Sequence, residues 1–303
     1  FGRRTQEVYF SISIHCGGED GTFSQKVCGD INSESITFDH EGRFNIILAA
    51  SHQKRSPLEN FIALPSNAVS VVTRHYFEAT PSAAMNKDVV DAVDLSIDAL
   101  LPEAERRTPG PLNDTEMAKR LDAFRNFFVA HSLGMTPPDP STSPPFFSLT
   151  PNTIGPPSKW SRESDGMGAV DIAYAAGPFV LKRNETLVMQ GTLPACTFAN
   201  VVLWNRFLQS FEYRQAPVAL HRAQMSLKNG NNFCIVLSHT NPFSSTDNDA
   251  PYKANWLSTE GRERGTIFWR FVLPQDEMKT PRTKVVPIGS QLHDFLRQNC
   301  AAQ

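Results

Sequence analysis

The chain is 303 residues long and carries 29 Lys plus Arg against 31 Asp plus Glu, a formal net charge of −2. Hydrophobic residues at 40% and charged residues at 20% describe a globular protein and exclude a disordered or fibrous one. The near-neutral balance lacks the cationic footprint of a nucleic-acid binder. No apolar run reaches the roughly 18–20 residues that span a bilayer; the longest, Ala169 to Leu181, is short and contains Asp171.

The N-terminal third reads as strands. Val8 to Ile14 is β-branched and alternating, Ser35–Asp39 and Arg43–Leu48 flank the turn His40-Glu41-Gly42, and Val69 to Phe77 forms a further strand. Val93, Leu95, Ile97 and Ala99 alternate with polar residues, a period of two that predicts a half-exposed strand. A helix is expected from Asn113 or Asp114, with Met117, Leu121, Phe124 and Phe128 on one side and Gly134 as its stop. Thr136 to Pro157 holds eight of the 22 prolines and reads as an extended surface crossover. Strands then resume at Glu185–Gln190, Thr197–Trp204, Pro217–Leu227, Phe233–Ser238 and Thr266–Leu273, with Lys228-Asn229-Gly230 as a hairpin turn. A short helix starting at Ser290 and carrying Leu292, Phe295 and Leu296 closes the chain.

The two strand-rich parts resemble each other. Ile36-Thr37-Phe38, a turn, Gly42 to Leu48 and Ser51-His52 match Met225-Ser226-Leu227, a turn, Gly230 to Leu237 and Ser238-His239. Asn60-Phe61-Ile62 then matches Asn255-Trp256-Leu257, and the strand around Arg74 matches that around Arg270. Upstream, Tyr9 to Ile14 sits opposite Thr197 to Val202. Two such units, each leaving a hydrophobic face bare, are expected to pack as two β-layers in an antiparallel β-sandwich. The division is residues 1–101 as the first repeat, 102–160 as helix and crossover, 161–288 as the second repeat and 289–303 as the C-terminal helix, one compact domain overall.

Five cysteines leave one thiol over if the rest pair, and Cys16, Cys28, Cys196 and Cys234 are the disulfide candidates. Asn113 and Asn184 open glycosylation sequons. With a chain that opens on Phe1 without an apolar leader, these features predict a mature extracellular protein.

Several motifs look familiar. Leu203 to Phe207, Phe211 to Arg214, Ser238 to Pro242, Ala254 to Gly261 and Phe268 to Phe271 resemble the family of the domain of unknown function numbered 1214. So do Asp171, Tyr174, Gly177, Gly42 to Phe44 and Arg74 to Phe77, while Ala104 to Lys159 is the least similar stretch. The resemblance implies a jelly-roll-like β-sandwich, often in secreted or envelope proteins, and no established reaction. Members often carry a short Asp-Pro-Gly step where this chain has the longer polar loop Phe243 to Ala250.

Chemistry concentrates in the second repeat. Trp204, Asn205, Arg206, Tyr213 and Arg214 cluster, and His221, His239, Asn255, Trp256 and Arg270 can join them from neighbouring strands. Aromatic faces beside amide and guanidinium donors suit a glycan or another small polar ligand. No cofactor or metal is expected: Cys-x-x-Cys and His-x-x-x-His spacings are absent, and Asp247 and Asp249 lack the Gly and Glu of a calcium loop. Nor is there a Gly-x-Ser-x-Gly elbow, and Glu212 with Glu260 is the least implausible carboxylate pair for hydrolysis. The expected activity is ligand binding; the alternatives are a subunit of an extracellular assembly, with a homo-oligomer as one form, and a hydrolase with a His/Arg-lined site.

Overall fold

A computed structural model describes residues 1–50, 60–78, 93–98, 110–135, 139–161, 166–243 and 254–300. They belong to two compact units, where the sequence reading expects one domain. The first comprises Phe1–Phe77, Asn86–Thr136 and Arg162–Ala169; the second comprises Glu78–Met85, Pro137–Ser161 and Val170–Gln303. The inserted helix therefore belongs with the first repeat and the Pro-rich segment with the second.

The first unit contains β1 (Gly2–Arg3), β2 (Tyr9–Cys16), β3 (Lys26–Asn32), β4 (Arg43–Phe44), β5 (Ile46–Ala49), β6 (Asn60–Ala63), β7 (Ala68–Tyr76), β8 (Asp94–Leu95) and α1 (Asp114–Ala130). Its sheets run β3-β2-β7, β4-β1-β8 and β5-β6. Phe10, Ile12 and Ile14 of β2 point into one core with Ile36, Phe44 and Ile62. The hairpin expected around His40 forms its turn but not its first arm. The Asp39 carboxylate accepts the Glu41 and Arg43 amides at 2.9 and 2.8 Å, and Arg43 then pairs with Arg3 of β1. The strand expected from Val93 shrinks to β8; Ala99, Ser51 and His52 lie outside the described residues.

The helix starts where the sequence places it. Asn113 caps it by accepting the Glu116 amide at 2.9 Å, and Glu116 returns the bond to the Asn113 amide. Its apolar spacing forms helix without burial: Met117, Leu121, Phe124 and Phe128 are all exposed.

The second unit contains β9 (Ser158–Lys159), β10 (Ile172–Val180), β11 (Glu185–Thr192), β12 (Phe198–Trp204), β13 (Ala219–His221), β14 (Asn232–Ser238), β15 (Asn255–Ser258), β16 (Arg264–Val272), β17 (Arg282–Pro287) and α2 (Ser290–Asn299). Two sheets, β13-β12-β16-β10-β9 and β15-β14-β11-β17, turn their inward side chains into one core. Trp269 sits fully buried in it, 4.9 Å from the ring of Phe233. All pairings are antiparallel except β14 with β15. The protein is thus mainly β, with a β-sandwich in the second unit. Helix α2 lays Leu292 and Leu296 over Val188, Cys234, Val236 and Val286 on the outside of the smaller sheet.

Two expectations change here. The Pro-rich stretch is not a surface crossover: Phe146 and Ile154 are buried, and its backbone serves β10. The Ala176 amide donates to the Phe146 carbonyl at 2.8 Å, and the Ser148 and Gly155 amides donate to the Ala176 carbonyl at 2.9 Å. Gly177 permits the close approach, since a Cβ there would lie 1.9 Å from the Thr153 carbonyl oxygen. The strand expected over Pro217–Leu227 is only β13, followed by a 3-10 turn at Arg222–Gln224.

The repeat is real at the level of hydrogen-bond register. Ser11 of β2 lies opposite Asn32 of β3 and Arg74 of β7; Asn200 of β12 lies opposite His221 of β13 and Arg270 of β16. Tyr9 therefore corresponds to Phe198, one residue from the sequence match, and in a strand one residue exchanges the two faces. The parallel pairs also agree, starting at Ile46 with Asn60 and at Ile235 with Asn255. The Asn60 amide group takes the Thr37 amide at 2.7 Å and donates to the Thr37 and Asn45 carbonyls. Asn255 does the same with Ser226 and Cys234. Each repeat builds paired sheets within its own unit, rather than supplying one layer of a shared sandwich.

Disulfides join Cys16 to Cys28 and Cys234 to Cys300. Cys196, a sequence candidate for pairing, is free and buried; the partner of Cys234 is on the C-terminal helix end instead.

Candidate functional site

The sequence-predicted residues separate into those that hold the fold and those that share a surface. Asn205 ties its own loop together, accepting the Phe207 amide at 2.8 Å and donating to Gln209 Oε1 at 3.0 Å. His239 is held at both nitrogens, by the Leu181 carbonyl at 3.2 Å and the Thr259 hydroxyl at 2.8 Å. Asn255 is the cross-strand link described above, and Trp256 donates Nε1 to Ser238 Oγ at 2.9 Å. His221 is buried against Phe198. Arg206 and Arg214 are exposed, with their guanidinium groups over Phe207 and Tyr213.

Glu212 and Glu260 belong to one loop system, not to opposed walls. Glu260 accepts the Glu212 amide and pairs with Arg262, while Glu212 accepts the Arg214 amide. Among the described residues no group of three or more His, Cys, Asp or Glu side chains could hold a metal. Asp247 and Asp249 lie outside the described residues.

What remains is the outer face of the five-stranded sheet. Ile267, Trp269 and Phe271 face the core, so Phe268 and Arg270 face out. The same alternation turns Asn200 and Trp204 of β12 and Tyr174 of β10 outward. Tyr174, Arg270, Asn200 and His221 then form one row across four strands. Trp204 stacks on Phe268 with centroids 4.1 Å apart, and Arg270 lies 5.1 Å from the Trp204 ring and 4.9 Å from the Phe268 ring. Phe146 adds its ring beside Tyr174 at 5.3 Å.

The Arg270 guanidinium makes no hydrogen bond or ion pair among the described residues. Its guanidinium is positioned by π-faces alone, which leaves its N–H donors available. The Asn200 Oδ1 beside it is buried and has no partner either. Sequence reasoning named Trp204 and Arg270 as ligand candidates but not Asn200, Phe268 or Tyr174, the last two entering only through the family resemblance. Period-two spacing around Arg270 places Phe268 on its face; the other two required the strand pairing.

The first unit offers a contrasting feature. A cavity of about 690 Å³ is lined by Phe1, Phe38, Phe44, Asn45, Ile47 and Asn60, among others. Its counterpart in the second unit, beside Phe233, Cys234 and Cys300, is only about 120 Å³.

The two sequons are exposed at their asparagines. Thr186 of the second is fully buried and donates to the Val286 carbonyl at 2.8 Å, a structural reason for that threonine.

No protein-family description matches the chain, and no curated protein does. Among solved structures, an uncharacterized protein from Burkholderia cenocepacia superposes with a TM-score of 0.67 at 22% identity, over 95% of this chain and 72% of that one. A protein from Vibrio parahaemolyticus superposes at a TM-score of 0.49 and 12% identity, over 92% of this chain and 83% of that one. The first likeness extends the fold to another protein.

Proposed function

We propose that this protein is a secreted β-sandwich that binds a glycan or another small polar ligand on the outer face of β10, β16 and β12. The observation that carries the reading is Arg270: a guanidinium lying against the stacked pair of Trp204 and Phe268, with no acceptor of its own among the described residues. Burying such a donor array beside the open Asn200 carbonyl costs free energy unless a ligand satisfies it. Aromatic faces accept the apolar face of a sugar ring, and the guanidinium fork suits a carboxylate or paired hydroxyls. The two disulfides agree with an oxidising compartment. The family resemblance belongs to the same proposal, since its motifs Leu203–Phe207 and Phe268–Phe271 flank this face.

The test is tryptophan fluorescence during titration with neutral and uronate-bearing oligosaccharides. A saturable change is expected, weakened at least about tenfold in Arg270→Ala, the loss of one charge-assisted interaction. Unchanged affinity in both Arg270→Ala and Trp204→Ala overturns the reading. A second reading, an assembly subunit, draws on the exposed apolar side of α1. Size-exclusion chromatography giving a monomer at all concentrations, with and without reductant, removes it.

A further inference from the structure

Helix α1 carries a line of side chains that its own unit does not use. Asp114, Met117, Leu121, Phe124, Phe128 and the C-cap His131 follow one another at alternating spacings of three and four. That alternation keeps one seam of a helix turned toward a partner helix. Its four apolar members are 44–65% exposed, and no residue of α1 is buried. The helix rests on the first unit by another side. Its backbone abuts Gly21, where a Cβ would lie 1.9 Å from the Ala123 carbonyl oxygen, and Asn126 Nδ2 donates to the Asp20 carbonyl at 3.0 Å. His131 closes the far end against Phe23, with ring centroids 3.7 Å apart.

The order of residues along the seam says what fits it. The seam is self-complementary about a point between Asp122 and Ala123. An identical helix laid antiparallel brings Met117 to the partner's Phe128, Leu121 to the partner's Phe124 and Asp114 to the partner's His131. Each large ring then meets a smaller side chain, and a carboxylate faces an imidazole at both ends. A parallel pair would instead set Asp114 on its own copy, a like-charge contact, and align the two helix dipoles. Beside the seam, the antiparallel pair places Arg120 against the ring of the partner's Phe127. Arg120 has no acceptor among the described residues. The other flank is not cationic in the way a lipid surface would favour, because Asp122 lies 3.6 Å from Arg125.

We propose that this protein self-associates through α1, as a two-fold pair in which two copies of the helix lie antiparallel along this seam. The proposal rests on the assembly reading and names its partner as a second copy of the chain. It shares no residue with the Arg270 face. A contact one helix wide is at the small end of specific interfaces, so the pair is expected to dissociate on dilution.

The test is sedimentation velocity of the full chain from about 1 to 200 μM. The mean mass is expected to rise with concentration toward that of a dimer. Phe124→Asp sets a carboxylate at the centre of the seam and is expected to weaken the pair at least about tenfold with the circular dichroism unchanged. Orientation is read by mixing and oxidising two variants, Met117→Cys and Phe128→Cys. The mixed cross-link is expected in excess of either homodimer.

A dimer indifferent to Phe124→Asp leaves the assembly reading standing and removes α1 from it. A monomer at every concentration removes both. Homodimeric cross-links in place of the mixed one overturn the antiparallel pair. A monomeric Phe124→Asp chain that melts several degrees lower than the parent means that the chain itself covers the seam, which also overturns the proposal. So does binding of the parent monomer to anionic vesicles that Phe124→Asp abolishes, in favour of a lipid surface.

Discussion

The two units carry the same strands in the same register and use the shared positions differently. Arg74 and Arg270 are equivalent. Arg74 donates to Ser13 Oγ at 2.7 Å and to the Met167 carbonyl at 3.1 Å, so it fastens its own unit. Arg270 has aromatic rings where those acceptors would be. His15 stands where Trp204 stands, and the Glu7–His75 pair, 3.0 Å apart, occupies the place of Cys196 and Phe271. The first unit spends its outer and end positions on polar fastening. The second fills its interior with Trp269, Phe271 and Phe233 and sets the Arg270 guanidinium against aromatic rings.

The largest expected effect separates the two interiors. Trp269→Ala should cost about 3–5 kcal/mol in denaturant unfolding, from the cavity it leaves. Its register counterpart, Thr73→Ala, should cost under about 1 kcal/mol. Similar losses would mean the second core is not the more tightly filled one. Next come the disulfides. By loop-closure entropy the 66-residue separation of Cys234 and Cys300 is worth about 4 kcal/mol, and the 12-residue separation of Cys16 and Cys28 about 3 kcal/mol. Cys300→Ser is accordingly expected to lower the melting temperature more than Cys28→Ser.

The repeat itself is sharpened by a matched pair. Asn60→Ala and Asn255→Ala each remove three hydrogen bonds inside a parallel strand pair and should cost about 2–3 kcal/mol apiece. A large loss for one and none for the other would break the equivalence. The smallest effect is acid sensitivity of the first unit. Burial alone would raise the Glu7 carboxyl, but hydrogen bonds from His75, Thr5 and the backbone outweigh it and hold it at about 2 against an ordinary 4.5. The folded value lies below the unfolded one, so this stabilisation is present above pH 4.5 and is lost as the pH falls toward 2. Burial, aided by the charge of Arg74, likewise lowers His15. Its contribution is present above the ordinary histidine value of 6.5 and declines as acid protonates the unfolded chain. Unit-resolved hydrogen exchange from pH 7 to 3 should therefore show the first unit loosening before the second; the reverse order would contradict the assignment of Glu7 and His15.

Much of this was legible in the residues, because strand periodicity and turn chemistry are local. The β2, β7, β12, β14 and β16 strands fall within two residues of their expected bounds, and the Asn60/Asn255 signature marked a true repeat. What escaped depends on pairing over distance. Cys300 caps the C-terminal end of α2, far from any strand pattern, so its bond to Cys234 had no local signal. Asn200 and Tyr174 join Arg270 only through cross-strand register. The apolar spacing of Met117, Leu121, Phe124 and Phe128 specifies a helix, but spacing alone does not say what, if anything, covers it. The prolines between Thr136 and Pro157 hid the buried anchors Phe146 and Ile154 that lie between them.

The central comparison, one strand unit built twice, fully buried along Ile235–Leu237 in the second and only partly buried along β5 in the first, is tested most directly by native-state hydrogen exchange. The account predicts slow exchange throughout Ile235–Leu237 and faster exchange along Ile46–Ala49. Equal protection of the two strands would contradict it.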